Sequence, residues 1–438
     1  MVTTTGFSTL ARMTGKAGGI DDLRIAEYPG PIGIHDTPQI ERNVRDVLID
    51  RVIRGLTVVD APAASDRAVS ASRYTDIVFT GSADEVSRFF HEREWSDGLP
   101  VVAPTVERVE RFLRFTSRSP HAEIAVLPSA NLRATAWNVA VNGVMAGCRP
   151  EHMPLLVAAA EALGDEHCSL NMIGSSSAIL PYVLINGPIA KQLGFESGAQ
   201  LISRGSNPVI GRALGLIVRN IAGFRPGANY MGTFGYQLAI ALAENEDESP
   251  WEPFHVEHGF ERTASTVTIG VTNNWGPSPG AASTADVSGA DAVLELLSRE
   301  ITKKTRLYNF PARGPDAEHV MITLLMSPSV AKTLAAAGYS KESVKQHLYE
   351  HTRISLRDFA WNLEHVSIMR TSVRAMVEVG VYPHEYLGAP DDSVRLLSSP
   401  DILHIIVCGD PNRNRLMVME GGHTTPTIRQ VEVAQQGD

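Results

Sequence analysis

Only three cysteines, Cys148, Cys168 and Cys408, occur in 438 residues, and no two of them are spaced C-x-x-C. A disulfide framework and a paired-thiol redox motif are therefore excluded, and free thiols in a reducing compartment are expected. Basic charge is also short: 39 Lys and Arg stand against 49 Asp and Glu, a net charge of −10. Without a basic stripe, binding that rests on neutralising phosphates is excluded, so no nucleic-acid partner is expected. Apolar runs such as LLVAAAEAL and ALGLIV fall short of the roughly 20 residues that a membrane span needs. Met1 to Lys16 has no apolar signal core. A cytoplasmic protein with no membrane partner is the expectation. No catalytic signature names a reaction.

What is present is a repeated junction in which an apolar run ends at a proline and passes into an amphipathic helix. It occurs at GLPVVAPTVERVERFL around Pro104, LPYVLINGPIAKQLGF around Pro188 and HVMITLLMSPSVAKTLAAAGY around Pro328. Proline has a fixed φ and no N–H to lose, so it suits the first turn of a helix. The last two copies follow matching material, HAEIAVL with PEHMPLLVAAAEAL and STVTIGV with GADAVLELLSREI. The fold expected is α/β, with two pseudo-repeated strand-helix-strand-Pro-helix lobes, a cleft between them and an irregular N-terminal segment. Internal duplication is one reading; a chance likeness of two α/β units is the other. Residues 1–75 form the N-terminal segment, which wraps the body or meets another subunit, so a homo-oligomer is expected. Residues 76–223 form the first lobe, 224–265 a connecting acidic and histidine loop with an apolar helix-like piece, and 266–438 the second lobe. ILHIIVCGDPNRNRLMVME reads as strand, turn, strand, and the chain after Thr427 as frayed.

Four constellations carry candidate chemistry. In NGVMAGCRPEHMP, Cys148 stands beside a glycine and just before Pro150 and an apolar-periodic run, as at a helix start. Unpaired N–H groups there, with Arg149 and His152 nearby, would lower the thiol pKa and make a nucleophile; a close-packed structural cysteine is the competing reading. The second is the stretch from Glu244 to His258, with Glu246, Trp251, Glu252, His255, Glu257 and His258. Carboxylates and imidazoles at this density can supply a general acid and base, here Glu246, His255 and His258. A metal is the weaker use of the same stretch, because Pro250 and Pro253 oppose a helix that would put both histidines on one face, and no metal ligand is assigned.

Third, Asn207 and Pro208 open a helix beside Arg204 and Arg212, where free N–H groups could receive an anion, unless the asparagine is a plain cap. Fourth, Asn138 and Asn142 stand four apart in apolar company, and Ser176 lies in the run GSSSA, which lacks the closing glycine of a nucleophile elbow. These amides, Ser176, Trp251, Arg204, Asn207 and Arg212 are the candidate substrate-binding set.

EWSDGLPVVAPT, NGVMAGCRPEHMP, NPVIGRALGLIVRNIAG and ENEDESPWEPFHVEHGF resemble segments of a little-characterised bacterial family labelled for a Gly-Ser-Cys motif, the UGSC-type proteins. The Trp-Glu-Pro-x-His segment is the most specific. The resemblance implies a shared fold and says little about the reaction, and this chain has no Gly-Ser-Cys, GSSSA being the nearest string. Trp251, Glu252, His255, Cys148 and Trp95 to Gly98 fall within the matching segments.

The expectation is an enzyme of lyase or transferase type acting in biosynthesis on a small polar or anionic metabolite. Acid–base groups and the Cys148 thiol would drive addition, elimination or carbon–heteroatom bond formation. A divalent-metal hydrolase or hydratase using His255, His258 and carboxylates is the alternative, and a non-catalytic binding subunit of a larger enzyme a third. No cofactor is named by the sequence.

Overall fold

A computed structural model describes residues 1–17, 20, 22–32, 35–57, 74–128, 130–168, 170–174, 179–233, 235, 239–280, 284, 287–305, 321–366, 371–421 and 427–433. The described residues of the N-terminal segment are not irregular. Strand β1 (Val2–Thr4) leads to helix α1 (Ser8–Ala17) and pairs in parallel with β2 (Ala26–Tyr28). Helices α2 (Thr37–Asn43) and α3 (Ile49–Thr57) follow, joined by a π-helical turn. The start of α2 is set locally: the Asp36 carboxylate accepts from Gln39 N, with Pro38 in the first turn.

Next come α4 (Ala83–Glu92), α5 (Val106–Leu113), a hairpin of β3 (Glu123–Leu127) and β4 (Leu132–Thr135), α6 (Ala136–Ala146) and α7 (Met153–Leu163). The Pro104 copy of the repeated junction fails, since residues 98–105 form no strand. The other two hold: β5 (Leu180–Asn186) runs into α8 (Pro188–Gln192). After α9 (Asn207–Asn220), β6 (Ile240–Ala243), α10 (Phe254–Glu257), β7 (Thr266–Thr272), β8 (Ser278–Pro279) and α11 (Gly289–Thr305), β9 (Ile322–Met326) runs into α12 (Pro328–Ala336). The chain ends with α13 (Lys341–His351), β10 (Arg353–Ser355), α14 (Leu356–His365), α15 (Val373–Glu378), β11 (Ser393–Arg395), β12 (Leu403–Val407), β13 (Arg415–Glu420) and β14 (Thr427–Gln430).

Two four-stranded sheets organise the body, in the orders β6-β5-β7-β14 and β12-β9-β13-β8. In each, the strand before the proline has a parallel neighbour on one side and an antiparallel one on the other. In each, the fourth strand crosses from the other half: β8 follows β7 in sequence but pairs with β13, and β14 follows β13 but pairs with β7. Two expectations change as a result: the helix-like piece before the acidic loop is the strand β6, and Thr427–Gln430, where fraying is expected, is the strand β14. The strand, turn and strand of ILHIIVCGDPNRNRLMVME hold as β12 and β13, which flank β9. The boundary drawn at residue 266 separates β7 from the sheet it belongs to. Strand β6 misleads because a strand buried on both faces is a continuous apolar run, which periodicity cannot tell from a buried helix.

Alternation along the strands builds four layers. Ile322, Leu324, Met326, Leu403, Ile405, Val407, Leu416 and Val418 turn to α11, α12 and α13 in one core. Their neighbours Met321, Leu325, Ile406, Cys408, Met417 and Met419 pack with the first sheet. Tyr182 Oη on β5 and Thr323 Oγ1 on β9 share a buried hydrogen bond of 2.8 Å between the sheets. The order is helices, sheet, sheet, helices, and the faces between the sheets are filled core. A third small core gathers α14, α15 and the β10–β11 pair around Phe359, Tyr382 and Tyr386. Among the described residues no helix is long and apolar enough to cross a membrane.

Glu420 closes β13 at 1 % exposure, and burial pushes its carboxyl up to about 8 in spite of Lys304. A carboxyl raised on folding adds its stability below its unfolded pKa and loses it as pH climbs to the folded value. Glu420→Gln should therefore match the wild type near pH 5 and exceed it by on the order of 2 kcal/mol at pH 9. Urea unfolding at the two pH values measures this, and an unchanged difference between them would sink the assignment.

Candidate active site at the strand carboxyl ends

Because Ile185 and Ala243 are parallel register partners, the next residues, Asn186 and Glu244, leave the sheet side by side. Asn186 Nδ2 donates to Glu244 Oε2 at 2.6 Å and to Glu246 Oε1 at 3.1 Å. At Gly187 the chain turns with φ +82°, and an added Cβ would lie 2.1 Å from the Ala264 carbonyl oxygen, so only glycine fits. That turn aims Gly187 N at Glu246 Oε1, 2.7 Å away. Two donors thus fix the Glu246 carboxylate at the start of α8, while a fifth of its side chain stays open to solvent (21 %).

Glu244 is buried beneath it and accepts Phe254 N at 2.8 Å. Lys341, itself 2 % exposed, puts Nζ 3.8 Å from Glu244 Oε1 and 2.5 Å from Glu257 Oε2, and donates to the Glu252 carbonyl. Burial raises the Glu244 carboxyl, against the pull of Lys341, Phe254 N–H and Asn186. His255, fully buried, has Nδ1 3.9 Å from Glu246 Oε1, and burial lowers its pKa in spite of that carboxylate. Burial also lowers His258, whose Nδ1–H donates to the Phe254 carbonyl at 2.8 Å and whose ring centroid is 6.0 Å from that of His404 on β12.

The second sheet brings its own strand ends here. Asn245 N donates to the Val407 carbonyl and Gly409 N to the Ser197 carbonyl, both at 2.8 Å. A cavity of about 490 Å³ opens outside the ends of β9 and β12, with Met326, Ser327, Cys408, Gly409 and Gln200 in its lining. Crevices outside the carboxyl ends of parallel strands are where ligands settle in open α/β sheets. Gln200 holds a left-handed backbone, φ +65°. Cys408 lies within electrostatic reach of Glu244, and burial first, then that carboxylate, raises its thiol pKa.

Of the sequence candidates, Glu246, His255 and His258 come together here, and the others do not join them. Cys148 does stand next to a helix N-cap, Arg149, which opens the turn Pro150–His152 before α7, but it also follows directly on the end of α6. Gly147, at φ +90°, ends α6, and Cys148 N bonds the Gly143 carbonyl, which puts the thiol at the negative end of a helix. Its Sγ–H donates to the Val209 carbonyl at 3.6 Å, and burial drives its pKa up despite Arg212, the opposite of the expected direction. The anion site is also corrected: Asn207 Oδ1 accepts Glu196 N, and its Nδ2 donates to the Glu196 and Ala241 carbonyls. Arg204 faces Glu196 at 3.5 Å. Arg212 grips Asp97 through two bonds of 2.9 Å and adds the Leu99 and Pro100 carbonyls, tying down the WSDGLP turn. Trp251 donates Nε1–H to the Tyr339 carbonyl and packs on the second core rather than facing a ligand. Asn138 caps α6 and, with Asn142, lines a different and larger cavity. Ser176 lies outside the described residues.

Asn186, Lys341, His404 and Cys408 are what the sequence reading missed. Asn186 carried a readable sign, as the one polar residue of a seven-residue apolar strand, placed just before Gly-Pro. Among the described residues no three His, Cys, Asp or Glu side chains converge as a metal site. Compared with protein-family models, curated proteins and solved structures, the chain matches none.

Proposed function

We propose that the chain is an enzyme acting on a small polar metabolite by acid–base chemistry, in a reaction of addition or elimination type. The observation that carries this is the Glu246 carboxylate, held by Gly187 N–H and Asn186 Nδ2 at the carboxyl ends of β5 and β6 and still open to solvent. In this reading Glu246 takes a proton from a C–H of the substrate and passes it to the departing group in elimination; in addition it takes the proton from the adding O–H or N–H and delivers it to carbon. His255, fully buried, positions Glu246 rather than touching substrate.

Three further readings belong with this one. Matching strand orders and directions, with an exchanged fourth strand in each sheet, support an internal duplication. Ile49, Ile53 and Leu56 of α3, exposed at 46, 51 and 79 %, support a homo-oligomer formed through the N-terminal unit. Kinship with the UGSC-type proteins rests on the four resembling segments.

The test needs no known substrate. Protein incubated in D2O with a panel of small hydroxy, amino and dicarboxylic acids should exchange one substrate's C–H for deuterium, read by proton NMR. Exchange in no member of the panel, or equal exchange by Glu246→Gln, defeats the proposal.

A further inference from the structure

A cavity of about 710 Å³ is on the helical side of the first sheet, and its lining includes none of the carboxylate cluster. One wall is the extended segment 74–81, laid across α4, α5 and α6. Two stacked contacts hold that segment: Phe79 lies 4.5 Å from the Phe89 ring and Tyr74 4.1 Å from the His121 ring, centroid to centroid. Phe90, Trp95 and Trp137 add aromatic faces.

The cavity's polar groups converge at one place. Asn220 Nδ2 donates to Asn142 Oδ1 and to the Trp95 carbonyl, which fixes both amides. Beside them Arg225 donates Nη1 to the Arg219 carbonyl and reaches Asn220 Oδ1 at 3.4 Å. Among the described residues no carboxylate is in ion-pair contact with this guanidinium; Glu94 acts on it only through space, and burial and then Arg219 lower its pKa. A half-buried cation without a contacting anion, on the wall of an aromatic cavity, has N–H donors to offer. The cavity's own acids, Asp76 and Glu107, are exposed residues of the 74–81 segment and the first turn of α5.

We propose that this cavity is a binding site for a small monoanion with an apolar body, a carboxylate carrying an alkyl or aryl group, with its head on Arg225 and its body against Trp95, Trp137 and Phe90. The chemistry favours this class because the walls offer apolar area and aromatic faces, while a charge-assisted bond to a guanidinium is the strongest contact available. The site is independent of the acid–base reading at the strand ends and stands or falls separately.

The probes are decanoate and decanol, titrated into the intact chain while the emission of Trp95 and Trp137 and displacement of anilinonaphthalene sulfonate are followed. Decanoate should bind about tenfold tighter than decanol, the difference that one charge-assisted contact makes. Arg225→Met should remove that preference and leave decanol unchanged, and Val141→Trp, which fills the cavity, should abolish both. Equal binding of the acid and the alcohol to the wild-type protein overturns the proposal without any variant. Binding that survives Val141→Trp places the ligands elsewhere and overturns it too.

Discussion

Lys341→Met should unfold with about 3–5 kcal/mol less free energy than the wild type, the usual cost of removing one partner from a buried ion network. The ammonium stands between Glu244 and Glu257 at 2 % exposure, so no water can replace it. Methionine fills the space and isolates the charge effect from a cavity effect. Glu257 keeps a second cation, Lys345 at 3.4 Å, but Glu244 keeps only the Asn186 and Phe254 donors. The sign of the pH dependence follows. Glu244 is already raised by burial, and losing Lys341 raises it further. A raised carboxyl costs stability as pH increases, so the deficit of Lys341→Met should be larger at pH 8 than at pH 5. Adding Glu244→Gln should recover part of the loss, since an amide needs no counter-charge. Chemical denaturation of the three variants measures all of this, and a deficit under 1 kcal/mol at pH 8 would show that the cluster does not need its cation.

How much of this was legible depended on whether a residue's role was set by its neighbours in sequence. Pro188 and Pro328 announced their junctions because proline acts locally, on its own φ and the first turn of a helix. The same logic failed at Pro104, where no partner strand comes to the preceding extended residues. The helix start after Cys148 was legible from Pro150, but that Gly147, at φ +90°, also ends a helix just before the thiol was not. Arg212 and Asn207 could not be read at all from spacing. Asp97 lies 115 residues from Arg212 and Ala241 lies 34 from Asn207, and those distant groups use up the donors that an anion would need. The acidic loop was found by its density of carboxylates and imidazoles. What organises it, Asn186 on β5 and Lys341 on α13, comes from chain 58 and 84 residues away from the glutamates each one holds.

Glu246→Gln should lower substrate C–H exchange by on the order of 100-fold or more while leaving the melting temperature within a few degrees. Glutamine keeps an oxygen to accept Gly187 N–H and Asn186 Nδ2, so the turn into α8 survives, but it cannot take a proton. His255 should behave differently, because a side chain with no exposed surface cannot reach a substrate directly. Its ring supports the Glu246 carboxylate from 3.9 Å and fills core space, so His255→Ala should cost about 2–4 kcal/mol through the cavity it leaves. Corrected for the folded fraction, its rate should fall about tenfold, with KM unchanged, since the binding surface is untouched and only the proton carrier loses its orientation. A purely structural histidine would leave the corrected rate as it was. Burial lowers the His255 pKa on folding, so its stabilising share is present above the unfolded histidine pKa of about 6.5 and is lost as pH falls from there through the lower folded value. Stability of the wild type, but not of His255→Ala, should therefore decline from pH 7 to pH 5 on this account. If both variants lose activity only in proportion to stability, Glu246 is a helix-start tie and the proton carrier lies elsewhere.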